Sequence, residues 1–167
     1  MNAGDVDENS HYWATDKGNK WVQIDLKPGS TTYGQTLSTG TVTKAPDSAV
    51  YDWAYVPGIP YYLYAIGYEY NLLGLFTNTY LLQFDRRTKT WKTITNYGNI
   101  VPKLLGSSTW GAVYASDDKA LFASENESGV IWKFSLPESG STTAKQMSPG
   151  LKASTNDGAR CINARGL

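Results

Sequence analysis

The pentapeptide WVQID, Trp21 to Asp25, returns twice in altered form: LLQFD at 81–85 and IWKFS at 131–135. Each copy runs apolar, then Gln or Lys, then Ile or Phe, then Asp or Ser. Ahead of each stands an aromatic–alanine pair: Trp13-Ala14, Tyr64-Ala65 and Phe122-Ala123. Short runs of this kind, bounded by Gly, Pro, Asn, Asp and Ser, read as β-strands. The same two-strand unit therefore occurs three times. DWAYVPG and WGAVYASDD precede the second and third copies and predict each unit's innermost strand, headed by Trp53 and Trp110. The middle copy carries an insertion, YEYNLLGLFTN (68–78), which fits in its hairpin loop.

Ten or eleven short strands emerge, among them HYWATD, TYLLQFDRR, TWKTITNY and GVIWKFSL, and no segment has helical periodicity. A recurring four-stranded antiparallel unit of roughly 40 to 60 residues predicts an all-β, propeller-like repeat. One such blade cannot bury both its faces alone, so neighbours stack and fill the gap with aromatics. A β-sandwich with chance internal similarity is the alternative. The expected blades span residues 4–50, 51–109 and 110–155, with a terminal strand over 156–167, all in one domain. Three blades and a partial one are too few for a ring, since propellers have at least about four. The expectation is a piece of a longer propeller, copies of the chain completing a ring, or an unusual compact closure.

The 167 residues suit one domain. Charged residues are only 18%, while 12 Tyr and 6 Trp lift the aromatics to 13%. Net charge is zero, which gives no electrostatic reason to expect nucleic acid or a membrane surface as a partner. No signal-peptide pattern and no long apolar stretch opens the chain. Its one cysteine, Cys161, cannot form an internal disulfide and reads first as a small buried hydrophobe.

GDVDENSHYW, WVQIDLKPGS, DWAYVPG, LYAIG, LLQFDRRTKTW, WGAVYASDD, ASENESGVIWKFSL and STNDGARC occur in that order. The series, from Gly4 to Cys161, resembles the DUF6923 family, a fungal, largely secreted β-propeller-like domain of unknown function. The resemblance implies a repeat fold and an extracellular setting, not an activity. Family domains have further strands ahead of the segment matching Gly4 to Asp7, and often a signal peptide.

Four constellations could carry chemistry. In DVDENSHYWATD, Asp5, Asp7, Asn9 and Asp16 stand at positions 1, 3, 5 and 12 of a calcium-loop spacing. The competing reading is a polar β-turn, in which Asp, Asn and Ser bond their own backbone. Calcium is the only cofactor that the sequence suggests. Tyr, Trp and Phe crowd residues 51–76, and stacking of sugar C–H faces on aromatic rings makes carbohydrate the first ligand expected. The residues singled out for that role are Trp53, Tyr68, Tyr70 and Trp110, against the alternative that they pack between blades. Glu125 and Glu127 have the residue types of a glycosidase pair, but i and i+2 in a turn seldom flank a cleft; Asn126-Glu127-Ser128 is an N-glycosylation sequon. DRRTKTW (85–91) could hold an anion or simply be solvated. The sequence thus predicts a non-catalytic recognition module for glycan or protein. A propeller-channel hydrolase or lyase, or an assembly module, is the alternative.

Overall fold

The computed structural model describes residues 1–70, 77–101 and 109–159, with Tyr70 described only as backbone. Twelve strands form three antiparallel sheets among them. The first blade holds β1 (Ala3–Val6), β2 (His11–Asp16), β3 (Lys20–Asp25) and β4 (Thr36–Thr41). The second holds β5 (Ala49–Tyr55), β6 (Tyr62–Tyr70), β7 (Thr77–Asp85) and β8 (Thr90–Gly98). The third holds β9 (Trp110–Ala115), β10 (Ala120–Glu125), β11 (Ile131–Ser135) and β12 (Ala144–Ser148). A short 3-10 turn, Pro137–Ser139, lies between β11 and β12. Each sheet is a simple meander in chain order, and the innermost strands lie side by side, β1 against β5 and β5 against β9. This is the all-β, propeller-like stacking of blades that the sequence predicts. Over 156–159 there is no strand, and the rest of the expected terminal strand, with Cys161, lies outside the described residues.

The repeat holds at the level of register. Trp13 lies opposite Gln23, Tyr64 opposite Gln83, and Phe122 opposite Lys133. The following alanines face Val22, Leu82 and Trp132. Because side chains alternate across a strand, each blade has two defined faces. Trp13, Tyr64 and Phe122 point to one, here called the front. Tyr12, Leu63 and Leu121 point to the back, with Ile24, Phe84 and Phe134 across from them. The front of the first blade packs on the back of the second, where Trp13 and Trp21 meet Trp53, Tyr55, Leu63, Leu82 and Phe84. The front of the second packs on the back of the third in the same way, where Tyr64, Ile66 and Leu81 meet Val113, Leu121, Phe134 and Leu136. Each fully buried large apolar side chain stabilises the fold by about 1.5–3 kcal/mol.

The turns repeat too. Ser10, Tyr61 and Lys119 each precede a blade's second strand, and each has a left-handed backbone, with φ of 62°, 73° and 58°. Their carbonyls accept from Leu26 N, Arg86 N and Leu136 N, the residues that leave each third strand. One tetrapeptide, GSTT, recurs between the third and fourth strands of the first and third blades, at 29–32 and 140–143.

Two carboxylates stitch the innermost strands together. Asp5 accepts from Tyr55 N at 2.7 Å, and Asp52 accepts from Val113 N at 2.6 Å. Each also accepts from the backbone of the residue after it. Burial raises Asp5 from 3.8 to about 6 and Asp52 from 3.8 to about 8, outweighing the N–H donors that pull both down.

A candidate ligand pocket between the first and second blades

Arg86 follows the third strand of its blade, in the place Leu136 holds in the third blade. Leu136 is buried in the neighbouring junction. Arg86 instead runs across to the first blade, where its guanidinium pairs with Asp7 and, at 2.6 and 2.7 Å, with both oxygens of Glu8. Asp7 closes its own turn by accepting from Asn9 N (2.8 Å) and His11 N (2.9 Å), and it takes Trp13 Nε1 at 2.8 Å. The guanidinium also lies 5.9 Å from the Trp13 ring and 5.7 Å from that of Tyr55. A buried ion pair needs this many partners to offset its desolvation.

The residues of the calcium-loop spacing have other partners here. Asp5 bonds the seam with β5. Asp7 is taken by Arg86, which puts a fixed positive charge where the ion would sit. Asp16 ends β2, three pairs along the ladder from the Asp5–Trp13 pair, so about 10 Å away. Asp5, Asp7, Asn9 and Asp16 therefore share no coordination sphere. Residues 7–10 of the stretch form a turn between β1 and β2, and Arg86 of DRRTKTW contributes the counter-charge for it. No cluster of three or more His, Cys, Asp or Glu fit to hold a metal occurs among the described residues.

Beside the ion pair lies an open pocket of about 250 Å³ lined by residues of both blades. His11 and Gln23 face each other in it, with Gln23 Nε2 and His11 Nδ1 2.9 Å apart. Glu8 and Asn9 come from the turn, and Arg87 and Lys89 from the β7–β8 hairpin. Lys89 stands 4.9 Å from the Trp13 ring centre and 4.7 Å from that of Trp21, and burial there lowers its pKa. Tyr61 forms the rim: it is 49% exposed, and Arg87 stacks 4.5 Å from its ring centre. Arg87 is held in turn by Asp85, at 2.9 Å, and by the Tyr62 hydroxyl, at 3.3 Å. The hydrogen bond from Arg87 to Asp85 raises the arginine further. Asp85 itself is lowered; burial pulls it up, but Arg87 and the turn N–H groups prevail.

The aromatic residues predicted to bind ligand lie elsewhere. Trp53 is 1% exposed and Trp110 0%, so neither offers a ring face. Trp53 packs on Phe84 and Trp91 and donates Nε1 to the Trp13 carbonyl at 3.2 Å. Trp110 packs edge-on against Phe134. The two are not equivalent in the repeat, since Trp53 lies opposite Ala65 whereas Trp110 lies opposite Glu125. Tyr68 is buried and stacked on Tyr51, with ring centres 5.8 Å apart. Tyr70 ends β6, opposite Thr77; its side chain and residues 71–76 of the insertion lie outside the described residues. The ends of the insertion, expected in the hairpin loop, instead pair as strand, with Glu69 opposite Asn78 and Tyr70 opposite Thr77.

Glu125 is buried and accepts from Glu127 N and Ser128 N in its own turn, so this pair caps a turn instead of flanking a cleft. The sequon residue Asn126 is buried as well, with its Oδ1 accepting from Gly111 N at 3.2 Å.

No family model and no curated protein matches the chain. Among solved structures it is similar to a protein described as an oxidoreductase (glucose dehydrogenase) from Thermus thermophilus, at 14% identity and a TM-score of 0.49 over 82% of this chain. It is also similar to U3-55K, at 9% identity and a TM-score of 0.44 over 90% of this chain. The chain spans 43% and 53% of the length of those two structures.

Proposed function

We propose that the protein is a non-catalytic recognition module that binds carbohydrate in the pocket under Tyr61. The observation that carries this reading is the position of Tyr61. Its place in the turn demands a left-handed backbone, which a bulky residue adopts at a cost of about 1–2 kcal/mol. The first and third blades put Ser10 and Lys119 there. A tyrosine at that place holds an aromatic face at the mouth of a polar pocket. Sugar rings stack by their C–H faces on such a ring, and Gln23, His11, Asn9 and Glu8 supply donors and acceptors for hydroxyls. The pocket is smaller than the ~300–1,000 Å³ of most small-molecule sites, which suits one sugar unit at the end of a glycan. The cations near it already have partners: Arg86 bonds Asp7 and Glu8, Arg87 bonds Asp85, and Lys89 donates to the Arg86 carbonyl beside the Trp13 and Trp21 rings. A neutral polyol therefore fits better than a phosphate.

The test is a glycan array followed by calorimetric titration of the best ligand. Tyr61→Ala is expected to weaken binding by roughly tenfold or more, about 1.4 kcal/mol. Tyr33→Ala removes another exposed tyrosine, one in the β3–β4 connection that does not line this pocket, and should leave affinity unchanged. No array signal, or equal affinity for both variants and the parent, would sink the reading.

A further inference from the structure

We infer that the protein has a second site for a neutral sugar, at the end of the molecule where the innermost strands β1, β5 and β9 begin. An open pocket of about 320 Å³ lies there. It is larger than the pocket under Tyr61 and falls inside the ~300–1,000 Å³ range of small-molecule sites. The Tyr61 pocket borders the turn that follows β1, so the two lie past opposite ends of that strand.

All three blades contribute. Asn2 enters from the first, Tyr51 from the second, and Gly111 with Asn126 from the third. Asn2 ties the first two together, its Nδ2 donating to the carbonyls of Val50 at 3.2 Å and Tyr51 at 3.1 Å. Tyr51 is half-buried, and its stack on Tyr68 fixes its ring. Residues 154–156 line the pocket as a strap. The strap is held where Ala153 N donates to the Asn126 carbonyl at 2.9 Å and Asn156 Nδ2 donates to Ser124 Oγ at 3.3 Å.

The polar groups of this wall are not used up. Asn126 is 6% exposed, and its Oδ1 accepts from Gly111 N. Its Nδ2 donates to none of the described residues. A carboxamide placed this deep ordinarily has partners at both ends. The side chain borders this pocket and two adjoining openings of about 360 and 260 Å³, so the spare donor faces that space. Gly111 makes room for it: a Cβ there would lie 2.6 Å from Asn126 Oδ1 and 2.8 Å from Nδ2. Asn156 Oδ1 accepts from none of the described residues either, and Ser154 and Thr155 are exposed.

The pocket thus offers a donor, an acceptor and hydroxyls that can do both. No Asp, Glu, Lys, Arg or His is among its described lining residues; Glu127 and Lys152 border the adjoining openings instead. That set matches a neutral polyol. A sugar hydroxyl accepts from one group and passes its own proton to the next, and Tyr51 gives the ring's C–H face an aromatic surface. A uronate would find no counter-charge. This site stands independently of the reading of the Tyr61 pocket.

Amide NMR titration of isotope-labelled protein tests this, with the methyl glycosides of glucose, galactose and mannose, and with methyl glucuronide as the charged control. At least one neutral glycoside is expected to shift the side-chain amide signals of Asn126 and Asn156 and the backbone amide of Gly111. The shifts should be the same in Tyr61→Ala. Asn126→Ala should weaken this binding by about tenfold, through loss of a buried donor. Thr155→Val changes only an exposed strap residue, should leave the rest of the spectrum in place, and should weaken binding by about threefold. Side-chain signals of Asn9 and Gln23 report the other pocket. Shifts confined to those two would support the Tyr61 reading and overturn this inference. No shift at Asn126 or Asn156 with any neutral glycoside, equal shifts with the glucuronide, or unchanged affinity in both variants would overturn it as well.

Discussion

The two blade junctions are built on one plan and filled with opposite chemistry. Between the second and third blades the contact is apolar: Phe134 and Leu136 pack beside Trp110. Beyond the Asp52 seam, one hydrogen bond between side chains of the described residues crosses it, Tyr64 to Glu138 at 2.7 Å. Between the first and second, beside the packed tryptophans, the Trp13 and Tyr55 rings flank a buried guanidinium that pairs with Asp7 and Glu8. The switch sits at one place in the repeat, the residue leaving the third strand. Leucine there seals the junction. Arginine there holds it with directional bonds and leaves polar groups at its edge, where the pocket opens. A repeat fold can therefore acquire a site by one residue's chemistry without changing its backbone.

The largest expected effect tests whether that residue matters as claimed. Arg86→Ala strands Asp7 as an unpaired buried charge and should cost about 3–5 kcal/mol in a urea titration. Adding Asp7→Asn should return much of the loss. Leu136→Ala, at the equivalent place, should cost about 2–5 kcal/mol as a cavity, with no such rescue. Equal rescue behaviour in both junctions would break the comparison.

A second effect separates the junctions by pH. Asp5 stitches the first seam and Asp52 the second, and both are raised above the ordinary 3.8. The folded chain then holds protons that the unfolded chain releases. This contribution is complete below pH ~4 and is lost as pH rises, through about 6 for Asp5 and about 8 for Asp52. Asp25 runs the other way: the Ser30 and Thr32 hydroxyls lower it to about 2, so its contribution is lost as pH falls from about 4 towards 2. Stability in urea should peak near pH ~4 and decline towards pH ~8, by on the order of a few kcal/mol. In Asp52→Asn the decline should end near pH 6, the value for Asp5. A decline that persists to pH 8 in that variant would remove Asp52 from the account.

The smallest effect concerns the side-chain bond across the apolar junction. Tyr64→Phe should cost about 1 kcal/mol, a fall in melting temperature of roughly 2–4 °C. A loss as large as that of Arg86→Ala would mean that the second junction is polar in its energetics too.

Much of this fold can be read in the chain, because the repeat is carried by residues whose types recur. WVQID, LLQFD and IWKFS, with the aromatic–alanine pairs before them, predict the strand pairs β2–β3, β6–β7 and β10–β11. The strands that are missed, AGDV and TLSTGT, have the opposite character. The first is four residues long, and the second is an exposed outer strand of Thr, Ser and Gly with no apolar alternation. The pocket is harder to read. Arg86 and Asp7 are separated by 79 positions, and nothing local in DRRTKTW or DVDENSHYW announces that they meet. Aromatic density also misleads, since the tryptophans best able to stack on a sugar are those most strongly drawn into the core. Tyr61 could have been noticed only by aligning the three turns and seeing a tyrosine where its counterparts are Ser10 and Lys119.

Those three turns have a consequence for engineering. Ser10, Tyr61 and Lys119 are held by the same backbone bond, and their side chains play no part in making it. The scaffold therefore treats them as display positions whose contents can be exchanged. Installing tyrosine at 10 and 119, with Gln-type partners transplanted from the first blade, would give one chain several weak sites at fixed spacing. A multivalent target would then be held by avidity, which multiplies modest affinities by about 10²–10⁴ where the spacing fits.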